Sequence, residues 1–180
     1  GDSMVEGLSR RLGDYSAENG HTLYTVIWYS SSTERWGTTH TLEYYMHKYK
    51  PTYVIICLGS NELFVNDLEN RAQYVREIVK KLGNTPFVWI SPSDWNGDTG
   101  INDVIKENIG KEHFFDSRHL KLKRGSDHYH PTWAAAAYWM DTAAQFIASH
   151  QCANPLQLNK PKAHHKATKT KLLQPSFEGY

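Results

Sequence analysis

The stretch Tyr53-Val54-Ile55-Ile56-Cys57-Leu58-Gly59-Ser60-Asn61-Glu62 decides the fold. Its first six residues are apolar or aromatic without a charged interruption, and the run stops at a glycine. A strand with one wet face would alternate, whereas one covered by helices on both sides stays apolar throughout, as in parallel sheets. The run therefore predicts a central strand of an α/β domain, and Cys57 within it reads as a buried, inert thiol. Ligands in open α/β sheets gather beyond the carboxyl ends of the strands, so the polar turn Gly59-Ser60-Asn61-Glu62 is a first place to look for chemistry.

Moving outward, apolar runs and helical periods alternate over residues 1–150, which predicts a mostly parallel sheet. Val5, Leu8 and Leu12 share a face of a helix from Met4 to Glu18. Leu23 to Tyr29 reads as a strand, Ser30 to Thr39 as a loop, and His40 to Tyr49 as a helix ended by Pro51. Leu68, Ala72, Val75, Ile78 and Leu82 form a stripe on a helix from Asp67 to Leu82, with Asp67 as N-cap and Gly83 as its stop. Phe87 to Ile90 is a strand, Ser91 to Gly100 a turn-rich loop, Ile101 to Ile109 a helix and His113 to Asp116 a last short strand. Pro131 suits the first turn of a closing helix whose Trp133, Ala136, Ala137, Met140, Ala144 and Ile147 share a face.

With 180 residues the chain suits one ordinary domain. From Gln151 onward periodicity fades into Lys, Pro, His, Gln and Asn, so residues 151–180 read as a flexible basic tail. Twenty Lys and Arg against nineteen Asp and Glu offer no broad cationic field, which argues against nucleic acid as a partner. The two cysteines give neither a disulfide framework nor metal-ligand spacing. No stretch approaches the roughly 18 apolar residues that would cross a bilayer, so no membrane anchor is visible.

Four segments carry residues able to do chemistry. Ser3 stands in Gly1-Asp2-Ser3 just before a predicted helix, where backbone donors and positive potential favour a developing anion; the same position is also common for an N-cap. Asp127 and His130 lie three apart in Asp127-His128-Tyr129-His130-Pro131. One loop can thus supply an imidazole base and the carboxylate that fixes its tautomer, although a surface loop histidine, or a metal pair with His128, has the same spacing. Asn61 could aim its amide at an oxyanion or simply close its turn, and Gly37 could bring a backbone N–H close to the same point.

In their order these pieces resemble the blocks of the SGNH/GDSL hydrolase family: Gly1-Asp2-Ser3 the first, Gly37 the glycine of the second, Gly59-Ser60-Asn61 the third, and Asp127-x-x-His130 the last. The resemblance spans residues 1 to 150 and departs where Glu62 replaces the usual Asp. It implies a three-layer α/β/α flavodoxin-like sandwich with a mostly parallel sheet, whose first strand would precede Gly1. It also implies a serine esterase without metal or other cofactor: Ser3 as nucleophile, His130 as base, Asp127 as its partner, and Ser3, Gly37 and Asn61 as the oxyanion hole. The expected substrate is an O-acetyl or short-acyl ester, small or carried on a glycan. Trp36, Trp95 and Trp133 are candidate sugar-stacking faces and equally candidate core residues. An O-acyltransferase of envelope glycans and a non-catalytic glycan-binding domain stand as alternatives, and the resemblance suggests a periplasmic, envelope or secreted location.

Overall fold

The computed structural model of the chain describes residues 1–166 and 169–180. In chain order the elements are α1 (Val5–Glu18), β1 (Thr25–Trp28), α2 (Thr33–Thr38), α3 (Thr41–Tyr49), β2 (Val54–Cys57), α4 (Leu68–Leu82), β3 (Phe87–Ile90), α5 (Ile101–Ile109), β4 (Phe114–Phe115), α6 (Trp133–Ile147) and β5 (Thr170–Leu173). Short 3-10 turns add Ser60–Glu62 and Lys111–His113.

Every ladder between these strands is parallel: β2 pairs β3, β3 pairs β4, and β1 pairs β5. The strand side chains alternate between two cores. Ile56, Leu58, Phe87, Trp89 and Phe114 join buried residues of α2, α3, α4 and α5. Cys57, Val88, Ile90 and Phe115 join α1 and α6 on the opposite face. Helices on both faces explain the uninterrupted apolar runs of β2 and β3, since neither strand has a side facing water. On α4 the buried stripe is Val75, Ile78 and Leu82, each worth roughly 1.5–3 kcal/mol of burial.

The first two residues lie between β1 and β2. Gly1 N donates to Val26 O at 3.1 Å and Gly1 O accepts from Trp28 N at 2.8 Å, which is parallel pairing with β1. Asp2 N reaches Cys57 O of β2 at 3.2 Å. On the far side of Gly1 from Ser3 lies a cavity of 530 Å³, lined among others by Leu8, Leu12, Val26, Ile55, Ile56 and Met140. Thr25 N–H bonds toward Lys169 and Val54 N–H toward Pro86, so by the alternation of a parallel ladder the N–H groups of Val26 and Ile55 face this cavity.

Several expectations need correction. The stretch Ser30 to Thr39 is not all loop, because Thr33–Thr38 forms α2. Asp67 sits at the N-cap of α4 without a side-chain capping bond and pairs with Arg71 instead, at 3.2 Å. Pro131 precedes the cap of α6 rather than entering its first turn; the cap is Thr132, whose Oγ1 accepts the Ala135 N–H at 3.2 Å. Trp133 is 55% exposed on α6, and Trp139 fills the core in its place. The last strand of residues 1–150 is two residues long.

The largest correction concerns residues 151–180. Residues 167 and 168 lie outside the described residues, but the rest does not behave as a free tail. Thr25 to Trp28 pair with Thr170 to Leu173. Cys152, Leu158 and Leu173 are buried, Phe177 packs on Trp28, and Tyr180 stacks on Tyr44 at 4.0 Å. Average composition hid this because the segment needs few apolar residues: β1 offers an open edge, and main-chain bonds do much of the fastening.

Candidate active site

Ser3 occupies the turn between the Gly1 pairing and α1. Its Oγ lies 2.8 Å from His130 Nε2, across 127 positions of sequence. His130 Nδ1 lies 2.6 Å from Asp127 Oδ2. Asp127 Oδ1 accepts the backbone N–H groups of Tyr129 at 3.0 Å and His130 at 2.9 Å. The Tyr129 N–H first, and then the His130 ring, hold the Asp127 carboxyl down to about 2. An ionised Asp127 keeps the proton on Nδ1 and leaves Nε2 free to accept from the serine hydroxyl. The structure thus brings together Ser3, His130 and Asp127.

The loop bearing Asp127 and His130 is clamped at its base. Gly125 N donates to His130 O at 2.8 Å, Thr132 N to Lys123 O at 2.9 Å, and Arg124 to the Tyr129 carbonyl at 2.8 Å. His128 takes the left-handed conformation at φ 65°, and its side chain makes no hydrogen bond or ion pair among the described residues, whereas His130 meets Ser3. The Tyr129 ring lies against the imidazole at 3.9 Å between centroids and meets Trp95 at 5.0 Å.

Comparison of the chain with family models, curated proteins and solved structures returned no match.

The turn Gly59-Ser60-Asn61-Glu62 follows β2 as expected, and it begins with Gly59 at φ 118°, a conformation that side chains rarely adopt. Asn61 is half-buried and donates one amide hydrogen to Ser31 O at 2.9 Å. An amide carries two, so one remains for another acceptor. The N–H of Ser3 makes no hydrogen bond among the described residues. Gly37 does not join them. It is the fifth residue of α2, where its N–H is committed to the helix, and a Cβ there would meet Tyr74 O of α4 at 2.9 Å. Its absent side chain serves helix packing rather than an approach to an oxyanion.

Three residues hold this turn in roles that the sequence reading did not assign. Asp2 is fully buried; its Oδ1 accepts the Met4 N–H at 3.0 Å and its Oδ2 the Ser60 N–H at 3.3 Å, so one carboxylate ties the serine turn to the asparagine turn. Burial raises its pKa above the usual carboxylate range. Trp95 donates to Ser60 O at 3.1 Å. Glu62, 1% exposed, accepts from Thr33 N at 2.7 Å and Thr33 Oγ1 at 2.6 Å, and pairs with Arg71 at 3.1 Å. Burial pushes the Glu62 pKa up against the pull of Thr33 and Arg71. A charged residue after a buried strand was the available signal, but its partners lie 29 and 9 positions away. Of the three tryptophans, Trp36 is core, Trp133 lies under Arg10 at 4.6 Å, and Trp95 borders the imidazole through Tyr129.

Proposed function

We propose that the chain is a serine hydrolase of carboxylic esters that works through an acyl-enzyme on Ser3. The observation that carries this is the continuous relay of Ser3 Oγ, His130 Nε2, His130 Nδ1 and Asp127 Oδ2, with contacts of 2.8 and 2.6 Å. His130 removes the Ser3 proton as Oγ attacks the ester carbonyl, and Asp127 steadies the imidazolium that forms. The Ser3 N–H and the second Asn61 amide hydrogen stabilise the tetrahedral oxyanion. On collapse, the carbonyl re-forms, the ester C–O bond breaks, and the alcohol leaves with the proton from His130. Water, deprotonated by the same imidazole, then releases the acid and restores Ser3.

A small acyl group on a carbohydrate is the substrate class this reading favours, because Trp95 and Tyr129 provide aromatic surface beside the imidazole. On the same reading the strands belong to a flavodoxin-like three-layer sandwich of the SGNH type. The parallel pairing of Gly1 with Val26 and Trp28 supports this.

Steady-state hydrolysis of p-nitrophenyl acetate, together with labelling by a fluorophosphonate, tests the reaction. Ser3→Ala and His130→Ala are each expected to lower kcat about 10⁶-fold. The fluorophosphonate adduct should map to Ser3. Full activity in Ser3→Ala would remove the serine mechanism.

A further inference from the structure

The segment Arg118-His119-Leu120-Lys121-Leu122-Lys123-Arg124 runs beside the triad loop. Leu120 and Leu122 turn inward against the core of α1 and α6, which leaves Lys121 and Lys123 exposed. Across from them stand Asp94 and Trp95, and the two segments enclose a groove of 680 Å³. Its charges are unequally spent. Arg118 is held by Asp103 and Asp116, both at 2.8 Å. Asp94 accepts the N–H groups of Asn96 and Gly97 in its own turn.

Arg124 differs from Arg118. Its half-buried guanidinium reaches the neutral Tyr129 carbonyl and Ser93 Oγ, at 2.8 and 3.0 Å, and has no carboxylate within ion-pair distance among the described residues. Burial lowers its pKa from the ordinary arginine value, with only longer-range help from Asp94 and Asp127. A desolvated guanidinium without a counter-charge gains from an anion brought to it. The groove is also joined to the chemistry, since Arg124 holds the Tyr129 carbonyl while the Tyr129 ring touches both Trp95 and His130.

We propose that this groove is an anion-binding subsite, in which Arg124, Lys121 and Lys123 hold a carboxylate or phosphate group carried by the saccharide substrate. The subsite rests on the ester reading for its place in the reaction, but not for its binding. The aromatic pair Trp95 and Tyr129 takes the sugar face, and the cations select charged over neutral sugars.

Direct binding and kinetics test it separately. Calorimetry on the whole chain in low salt, with trigalacturonate, glucose 6-phosphate and neutral cellotriose as probes, is expected to show binding of at least one anionic probe, weakening with added salt. The Lys121→Ala/Lys123→Ala double variant should weaken that binding about tenfold, equivalent to ~1.4 kcal/mol. Lys80→Ala on α4 serves as the charge control. The stronger anionic probe tells a carboxylate site from a phosphate site. In kinetics, the ratio of kcat/KM for acetylated trigalacturonate to that for acetylated cellotriose should exceed one and fall in the double variant, through KM. Equal affinity for anionic and neutral probes, or binding unaffected by the double variant, overturns the subsite. Loss of all ester hydrolysis with intact, lysine-dependent anion binding instead overturns the reaction and leaves the subsite standing.

Discussion

At Asp127 two backbone N–H groups and one imidazole converge on a single exposed carboxylate, so the residue proposed to orient the base is itself oriented by its own loop. Asp127→Asn offers its amide nitrogen where an acceptor is required and is expected to lower kcat about 10⁴-fold while the protein stays folded. Because its pKa is depressed, to about 2, the order it supplies is fully present above the ordinary carboxylate range and is lost only as pH falls through about 2. A carboxyl carbon titration by NMR checks this, and a midpoint near the unperturbed value would contradict it. His128→Gly should keep kcat and relieve a left-handed cost of about 1 kcal/mol, read by thermal unfolding. Ser3, Asp127 and His130 were legible because each signal is local: a serine before a helix, and two residues on one loop. Asp2, Glu62 and Arg124 were not, since what they hold is set by partners that only the folded chain brings near.

Among the elements, α2 shows how a short helix can hide. The six residues Thr33-Glu34-Arg35-Trp36-Gly37-Thr38 contain a glycine and two threonines, too few good helix formers for a helix that length to hold by itself. Packing against α4 and the Glu62 carboxylate at the Thr33 N–H supply what propensity lacks. Gly37→Ala drives a methyl against the Tyr74 backbone and should cost about 1–3 kcal/mol in urea unfolding. The kcat of the folded fraction should be retained; a selective loss of kcat without destabilisation would instead return Gly37 to the oxyanion hole. The longer helices α1, α4 and α6 and the strands β2 and β3 were readable, because their apolar spacing records which faces are covered. The two-residue β4 is too brief for any period to show.

At the scale of the whole molecule, the chain after α6 returns to the far edge of β1 and places β5 there. Ending the chain at Gln151 would strip β1 of this ladder and uncover the surfaces against Leu158, Leu173 and Phe177. Such a truncation should lower the unfolding free energy by at least ~3 kcal/mol, counting two buried leucines alone. A melting temperature unchanged by the truncation would mean that the segment adds nothing to stability.

The Asp2 carboxylate joins two turns, so they should soften as a unit. Asp2→Ala removes the acceptor of both the Met4 and the Ser60 N–H groups and should quicken deuterium exchange at the two amides together. Exchange that rises at one amide and not at the other would mean that each turn is held by itself.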